Sequence, residues 1–146
     1  MANPPKPIPD GYHTVTPYLT VSSVEKLLEF ARSAFDAKVT EKHLRPDGSI
    51  GHAEMRIGDS PVMMGQATEA WAARPSNLYL YVPDVDAVYQ RALHAGGKSI
   101  RAPENQYYGD RSCGVEDSVG NVWWIATHVE DVTAEEMKRR AAQPKP

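Results

Sequence analysis

A shift of 61 residues lays the first half of the chain over the second. Tyr18 meets Tyr79, Leu19 meets Leu80, Val21 meets Val82, Val24 meets Val85, Leu27 meets Val88, Ala31 meets Ala92 and Val39 meets Ile100. Positions with strand spacing and positions with helix spacing match together, so each half reads strand, helix, then about three strands. One helix covers a sheet of that size poorly, and a single βαβββ unit is hard to stabilise alone. Pairing the two copies can close a shared sheet. The expected fold class is therefore α+β: two paired βαβββ modules forming a curved mixed sheet around a central cavity, with the helices outside.

The elements follow from local pattern. Residues 13–21 alternate, with Val15, Pro17, Leu19 and Val21 on one face and Thr14, Thr16, Tyr18 and Thr20 on the other. Pro17 lacks an N–H and belongs at an edge or a break in the ladder. Ser22 to Glu25 reads as a capping box opening a helix over about 23–35. Strands are expected at 38–46, 50–57 and 62–64, with a loop over 65–75. The second copy places strands at 76–82, 98–102, 111–116 and 122–129, and a helix at 85–96 capped by Asp84. A Pro-rich arm over 1–11 precedes a single domain at 12–132, with modules at about 12–67 and 76–132. A short charged helix and tail occupy 133–146.

Composition excludes several functions. Lys and Arg total 16 against 19 Asp and Glu, a net charge of −3 without a basic run, which argues against nucleic-acid binding. No apolar run approaches the ~20 residues that cross a bilayer, and the N-terminus lacks a signal-peptide core. Cys113 is the only cysteine, so neither an internal disulfide nor a CxxC site forms. The simplest expectation is a cytoplasmic protein with no membrane partner.

Parity turns Thr16, Tyr18, Asn77 and Tyr79 toward the inside. Trp124 joins them, and Trp71, Tyr107 and Tyr108 lie in loops that can lid a cavity. Aromatic walls with a few polar anchors suit flat organic ligands. His52 and Glu54 share one strand face, as a metal pair, as a base with its orienting acid, or simply as a polar strand face or hydrogen-bonded pair. Arg111, beside Asp110, either binds an anion or pairs with a carboxylate. Cys113 is read as a small strand residue.

Thr16-Pro-Tyr-Leu-Thr-Val21, Ile50 to Gly58, Leu78 to Asp84, Tyr108 to Arg111 and Glu116 to Trp123 together resemble the vicinal oxygen chelate superfamily. That superfamily includes glyoxalase I, bleomycin-resistance proteins and extradiol dioxygenases. The likeness runs over about 12–132 and is greatest to the bleomycin-resistance-like subgroup. Two turn positions depart from it: Ser118 stands where Pro is usual and Asp36 where Gly is usual. The resemblance implies a divalent metal in the family's enzymes, but the matching positions here carry Thr16, Asn77, Trp124 and Met64 or Gly65, none a strong ligand. No metal and no cofactor are expected.

The favoured reading is a metal-free protein that binds a small organic molecule, planar or aromatic, and sequesters a toxic or antibiotic compound. Its ligand-binding residues would be Thr16, Tyr18, His52, Glu54, Asn77, Tyr79, Tyr108, Arg111 and Trp124, with no catalytic residue assigned. The alternatives are a lyase, isomerase or dioxygenase with a nonstandard site around His52 and Glu54, and a structural or protein-interaction module. The superfamily's habit of pairing modules across chains implies a homodimer.

Overall fold

The structure is a computed structural model describing residues 3–143. The expected ends of the Pro-rich arm and of the tail, residues 1–2 and 144–146, lie outside the described residues. The order is β1 (Tyr18–Val21), α1 (Val24–Phe35), β2 (Lys38–Leu44), β3 (Ile50–Ile57), β4 (Ser60–Gln66), β5 (Asn77–Tyr81), α2 (Val85–His94), β6 (Lys98–Asn105), β7 (Asp110–Glu116), β8 (Val122–His128) and α3 (Ala134–Ala141).

The fold is α+β, with two βαβββ modules. Each forms a mixed four-stranded sheet, ordered β1-β4-β3-β2 in the first and β5-β8-β7-β6 in the second. In each, the first strand runs parallel to the last and the remaining pairs are antiparallel. The sheets are curved but not closed, and each of β1 and β5 has a hydrogen-bonded neighbour on one side only.

Strand and helix pattern position the core. Leu19, Val21, Ala53, Met55, Val62 and Met64 turn one face of the first sheet toward α1, which answers with Leu27, Phe30, Ala31 and Phe35. Cys113, Val115, Trp123 and Ile125 do the same under α2. The two helices also pack on each other, and Phe30 and Phe35 of α1 reach Trp123 of β8, at ring-centroid distances of 6.4 and 4.9 Å. Trp123 donates its indole N–H to Asp117 at 2.8 Å. The same carboxylate accepts the N–H groups of Val119 and Asn121 and so ties down the β7–β8 turn. Burial of Cys113 raises its thiol to about 11, which suits a packed strand residue rather than a nucleophile.

Three expectations need correction. β1 begins at Tyr18 rather than His13; Pro17 can accept from Met63 N–H at 2.9 Å but cannot donate, so the ladder stops there. β4 runs from Ser60 to Gln66, well beyond the expected 62–64. The repeat also slips after the helix. Val39 pairs with Met55 where Ser99 pairs with Val115, so Ser99, not Ile100, is the counterpart of Val39. Irregularities between Val39 and Glu41 and between Ser99 and Arg101 break simple alternation, and Ile100 is left exposed.

Candidate functional site

Each sheet has one face under a helix and one open face. The open faces carry matching rows of side chains, because the ladders keep the same register. In the second module the row runs Tyr79, Trp124, Gly114, Arg101. In the first it runs Tyr18, Met63, Glu54, Glu41.

In the second module the Trp124 ring lies across Gly114. A Cβ on Gly114 would come within 2.5 Å of the indole, so the ring occupies that space because glycine leaves it free. The indole N–H is 3.4 Å from Asn77 Oδ1, and the Arg101 guanidinium carbon is 5.4 Å from the ring centroid. Beyond this row sits Asp110, only 3% exposed. Tyr79 and Tyr81 donate their hydroxyls to it at 2.7 and 2.9 Å, and His128 Nδ1 lies 2.8 Å away. Burial works to raise the Asp110 carboxyl, but these hydrogen bonds outweigh it and hold the group below the usual carboxylate range. Asp110 and then Asp131 raise the His128 imidazole. Burial, followed by the bond to Asp110, pushes the Tyr79 phenol far up, leaving it a firm donor.

In the first module Glu54 takes the matching role at 7% exposure. It accepts the Tyr12 hydroxyl, which keeps its carboxyl low, and lies 3.1 Å from His52 Nε2. An ionised carboxylate only accepts, so Nε2 carries the proton and a neutral His52 offers Nδ1 as acceptor to the Tyr18 hydroxyl, 3.3 Å away. The Tyr18 ring lies over Gly65, where a Cβ would come within 2.5 Å of the hydroxyl. Tyr12 reaches Glu54 because the N-terminal arm lies along this face. Pro7, Ile8, Pro9, Tyr12 and Thr16 share a depression with Glu41 and Met63, and Arg56 donates to the Gly11 carbonyl at 3.2 Å.

The nine residues singled out by sequence thus divide into separate groups. Tyr18, Asn77 and Tyr79 line one cleft of about 1030 Å³ between the free edges of β1 and β5, floored by Phe35, Leu78, Leu80 and Trp123. Trp124 adjoins it through Asn77. His52 and Glu54 meet Tyr18 on the open face of the first sheet. Thr16 precedes β1 beside the arm. Tyr108 packs edge-on against Tyr107 in the β6–β7 turn and lies near enough to Tyr79 to help raise that phenol. Arg111 points to the other side of its sheet, where its Nε and Nη2 meet Asp86 of α2 at 2.8 and 2.9 Å. That bidentate pair separates it from the open face, since β7 alternates and Asp110 takes the open side.

Sequence reasoning missed Arg101, Asp110, His128, Tyr81 and Tyr12. Alternation puts Tyr81 on the face of Asn77 and Tyr79, but nothing in the sequence singled it out from them. Asp110 was legible as the neighbour of Arg111 with opposite parity. Arg101 follows a strand irregularity and Tyr12 lies between the arm and the alternating stretch, so neither carried a signal.

The family's usual metal positions do not fit a divalent cation here. Met64 is packed in the core, Gly65 has no side chain and lies beneath Tyr18, and the Trp124 indole only donates. Asn77 Oδ1 faces that indole N–H, and the Arg101 charge stands beside the same ring. Among the described residues no group of three or more His, Cys, Asp or Glu side chains is placed to hold an ion. No helix there is long and apolar enough to cross a membrane.

A family model described as the glyoxalase/bleomycin resistance protein/dioxygenase superfamily matches residues 12–125. An uncharacterised protein of Mycobacterium bovis is 33% identical over 135 residues, covering 85% of this chain and 89% of the relative. Among solved structures, TioX from Micromonospora sp. ML1 superimposes with a TM-score of 0.69 at 20% identity, over 80% of this chain and 99% of TioX. The fosfomycin resistance protein FosX from Mesorhizobium loti gives 0.59 at 18% identity, over 85% and 95% of the two chains. The matched residues span both modules, and the chain belongs to the glyoxalase/bleomycin resistance protein/dioxygenase superfamily.

Proposed function

We propose that this chain is a small-molecule-binding protein of the bleomycin-resistance-like subgroup, working in the cytoplasm without a resident metal and sequestering a toxic or antibiotic compound. The observation that carries the reading is the Trp124 indole spread over Gly114 beside Tyr79 and Asn77, at the border of an apolar cleft. An aromatic platform with one amide anchor binds a planar molecule by shape, and binding needs no ligand set for a metal. FosX, which shares the fold, is described as a fosfomycin resistance protein, and that supports only the idea of an antibiotic as the compound. Trp124→Ala weakens binding of a planar aromatic ligand in fluorescence titration while the melting temperature holds. Unchanged affinity removes Trp124 from the site. Elemental analysis after chelator-free purification returns well under one divalent metal per chain. A stoichiometric metal held at Thr16, Asn77 and Trp124 would overturn the metal-free reading.

Two copies are the expected working unit. The free edges of β1 and β5 flank an apolar cleft, which a second copy can cover. Light scattering gives a dimer mass at micromolar concentration; a monomer mass counts against this.

A second reading, a glyoxalase-type lyase or isomerase, is favoured by the Tyr18–His52–Glu54 chain. There Glu54 would fix the tautomer and His52 would accept a proton at Nδ1. His52→Ala then abolishes turnover and spares binding, whereas a pure binder has no turnover to lose.

A further inference from the structure

We propose that Arg101 is the anion-binding residue of the second module's open face, and that the ligand taken there is a planar aromatic acid. The proposal rests on the small-molecule-binding reading above and names its ligand class.

Arg101 is held in place without being neutralised by a buried partner. Its Nη2 donates to Ser112 Oγ at 2.8 Å, and its guanidinium lies against the Trp124 ring. Its Nε is buried without any hydrogen-bond partner. Glu104 makes a loose ion pair with that nitrogen, its Oε1 3.6 Å away and beyond a hydrogen bond, and its side chain is half exposed, so an incoming carboxylate can compete with it. A third of the Arg101 side chain still reaches solvent, so an incoming group can meet it. Three other arginines are more fully engaged. Arg111 closes a bidentate pair on Asp86, Arg140 ends on Glu130 and Glu136, and Arg56 donates to two backbone carbonyls.

A guanidinium fixed by one hydroxyl and one aromatic face is pre-organised for a carboxylate, because little side-chain freedom remains to be lost. The row places this charge at one end, the indole in the middle and Tyr79 at the other end. A flat ring bearing an acid at one edge matches that order. The first module cannot take the same ligand, since Glu41 stands at the position of Arg101 and Glu54 at that of Gly114.

The test compares 2-naphthoate with 2-naphthamide, equal in ring and nearly equal in size, by calorimetric titration of the full chain at fixed ionic strength. The acid binds about tenfold tighter than the amide, the scale of one charge-assisted hydrogen bond. Arg101→Gln removes that preference, lowering affinity for the acid about tenfold while affinity for the amide moves less than about twofold. Arg101→Lys restores part of it. Trp124→Ala weakens both probes alike. Equal binding of acid and amide to the native chain, or an unchanged acid preference in Arg101→Gln, overturns this proposal and leaves the binding reading standing. Failure of both probes to bind the native chain overturns the two together. Thermal melting of each variant confirms that the fold persists.

Discussion

The two modules share a ladder and differ in what they lay on it. At matching places the first presents Tyr18, Met63, Glu54 and Glu41, and the second presents Tyr79, Trp124, Gly114 and Arg101. In each an aromatic ring reaches over a glycine that leaves room for it, Tyr18 over Gly65 and Trp124 over Gly114. The first face is acidic, internally hydrogen-bonded and partly overlaid by the arm. The second is aromatic, carries an under-used cation and is open. A repeat therefore transmits backbone geometry, while chemistry is set residue by residue at the open positions.

The sharpest way to break the comparison is to cut what joins the halves. Trp123→Ala removes the indole that meets Phe30 and Phe35 and strips Asp117 of a donor. We expect a loss of about 3–5 kcal/mol in urea unfolding, with broadening or splitting of a single native transition. A small loss with one sharp transition would mean that the helices alone couple the modules.

Next in size are the two buried carboxylates. Asp110→Ala abandons three donors and costs about 1.5–3 kcal/mol, while Glu54→Ala abandons two and falls at the lower end of that range. Unfolding midpoints at neutral pH rank the pair; the reverse order would place the tighter polar centre in the first module.

The pH response separates the faces further. Both carboxyls are lowered on folding, so their stabilisation is complete above the unfolded value, about 4, and is lost as pH falls through the lower folded values. His128 is raised, so its contribution is complete below about 6.5 and disappears as pH rises through its folded value. Nuclear magnetic resonance titration of the His128 ring should show a value above the ordinary one that drops in Asp110→Asn. An unmoved titration would place the imidazole off the carboxylate.

The smallest effect concerns helix ends. α1 stops on Asp36 in the left-handed region at φ 55°, whereas α2 reaches that region at Gly96. Asp36→Gly should raise stability by up to about 1 kcal/mol, less the contribution of an exposed contact with Lys38. A lower melting temperature would show that this contact outweighs the strain.

Period-2 and period-3.6 patterns carried the element order and the pairing of modules, because burial under a helix leaves an alternating trace. That trace placed Tyr18, Asn77, Tyr79 and Trp124 on open faces. It failed at Arg101, where an irregular strand resets parity, and at Arg111, whose alternation with Asp110 was not followed through. Tyr12 lay beyond any such reading: it follows a proline-rich arm that Arg56 holds at Gly11, and its own contact with Glu54 leaves no periodic mark.

The free edges of β1 and β5 also bear on behaviour in concentrated solution. Unpaired edges invite strand addition, the first step of fibril growth. On these two edges the templates are four and five residues long, shorter than the seven and eight of the opposite edge strands β2 and β6, with Pro17 before the first and Pro75 and Pro83 close to the ends of the second. A proline cannot donate to a growing ladder, so an added strand runs out of partners within a few residues. Such edges favour docking of a second folded surface over open-ended stacking of unfolded segments.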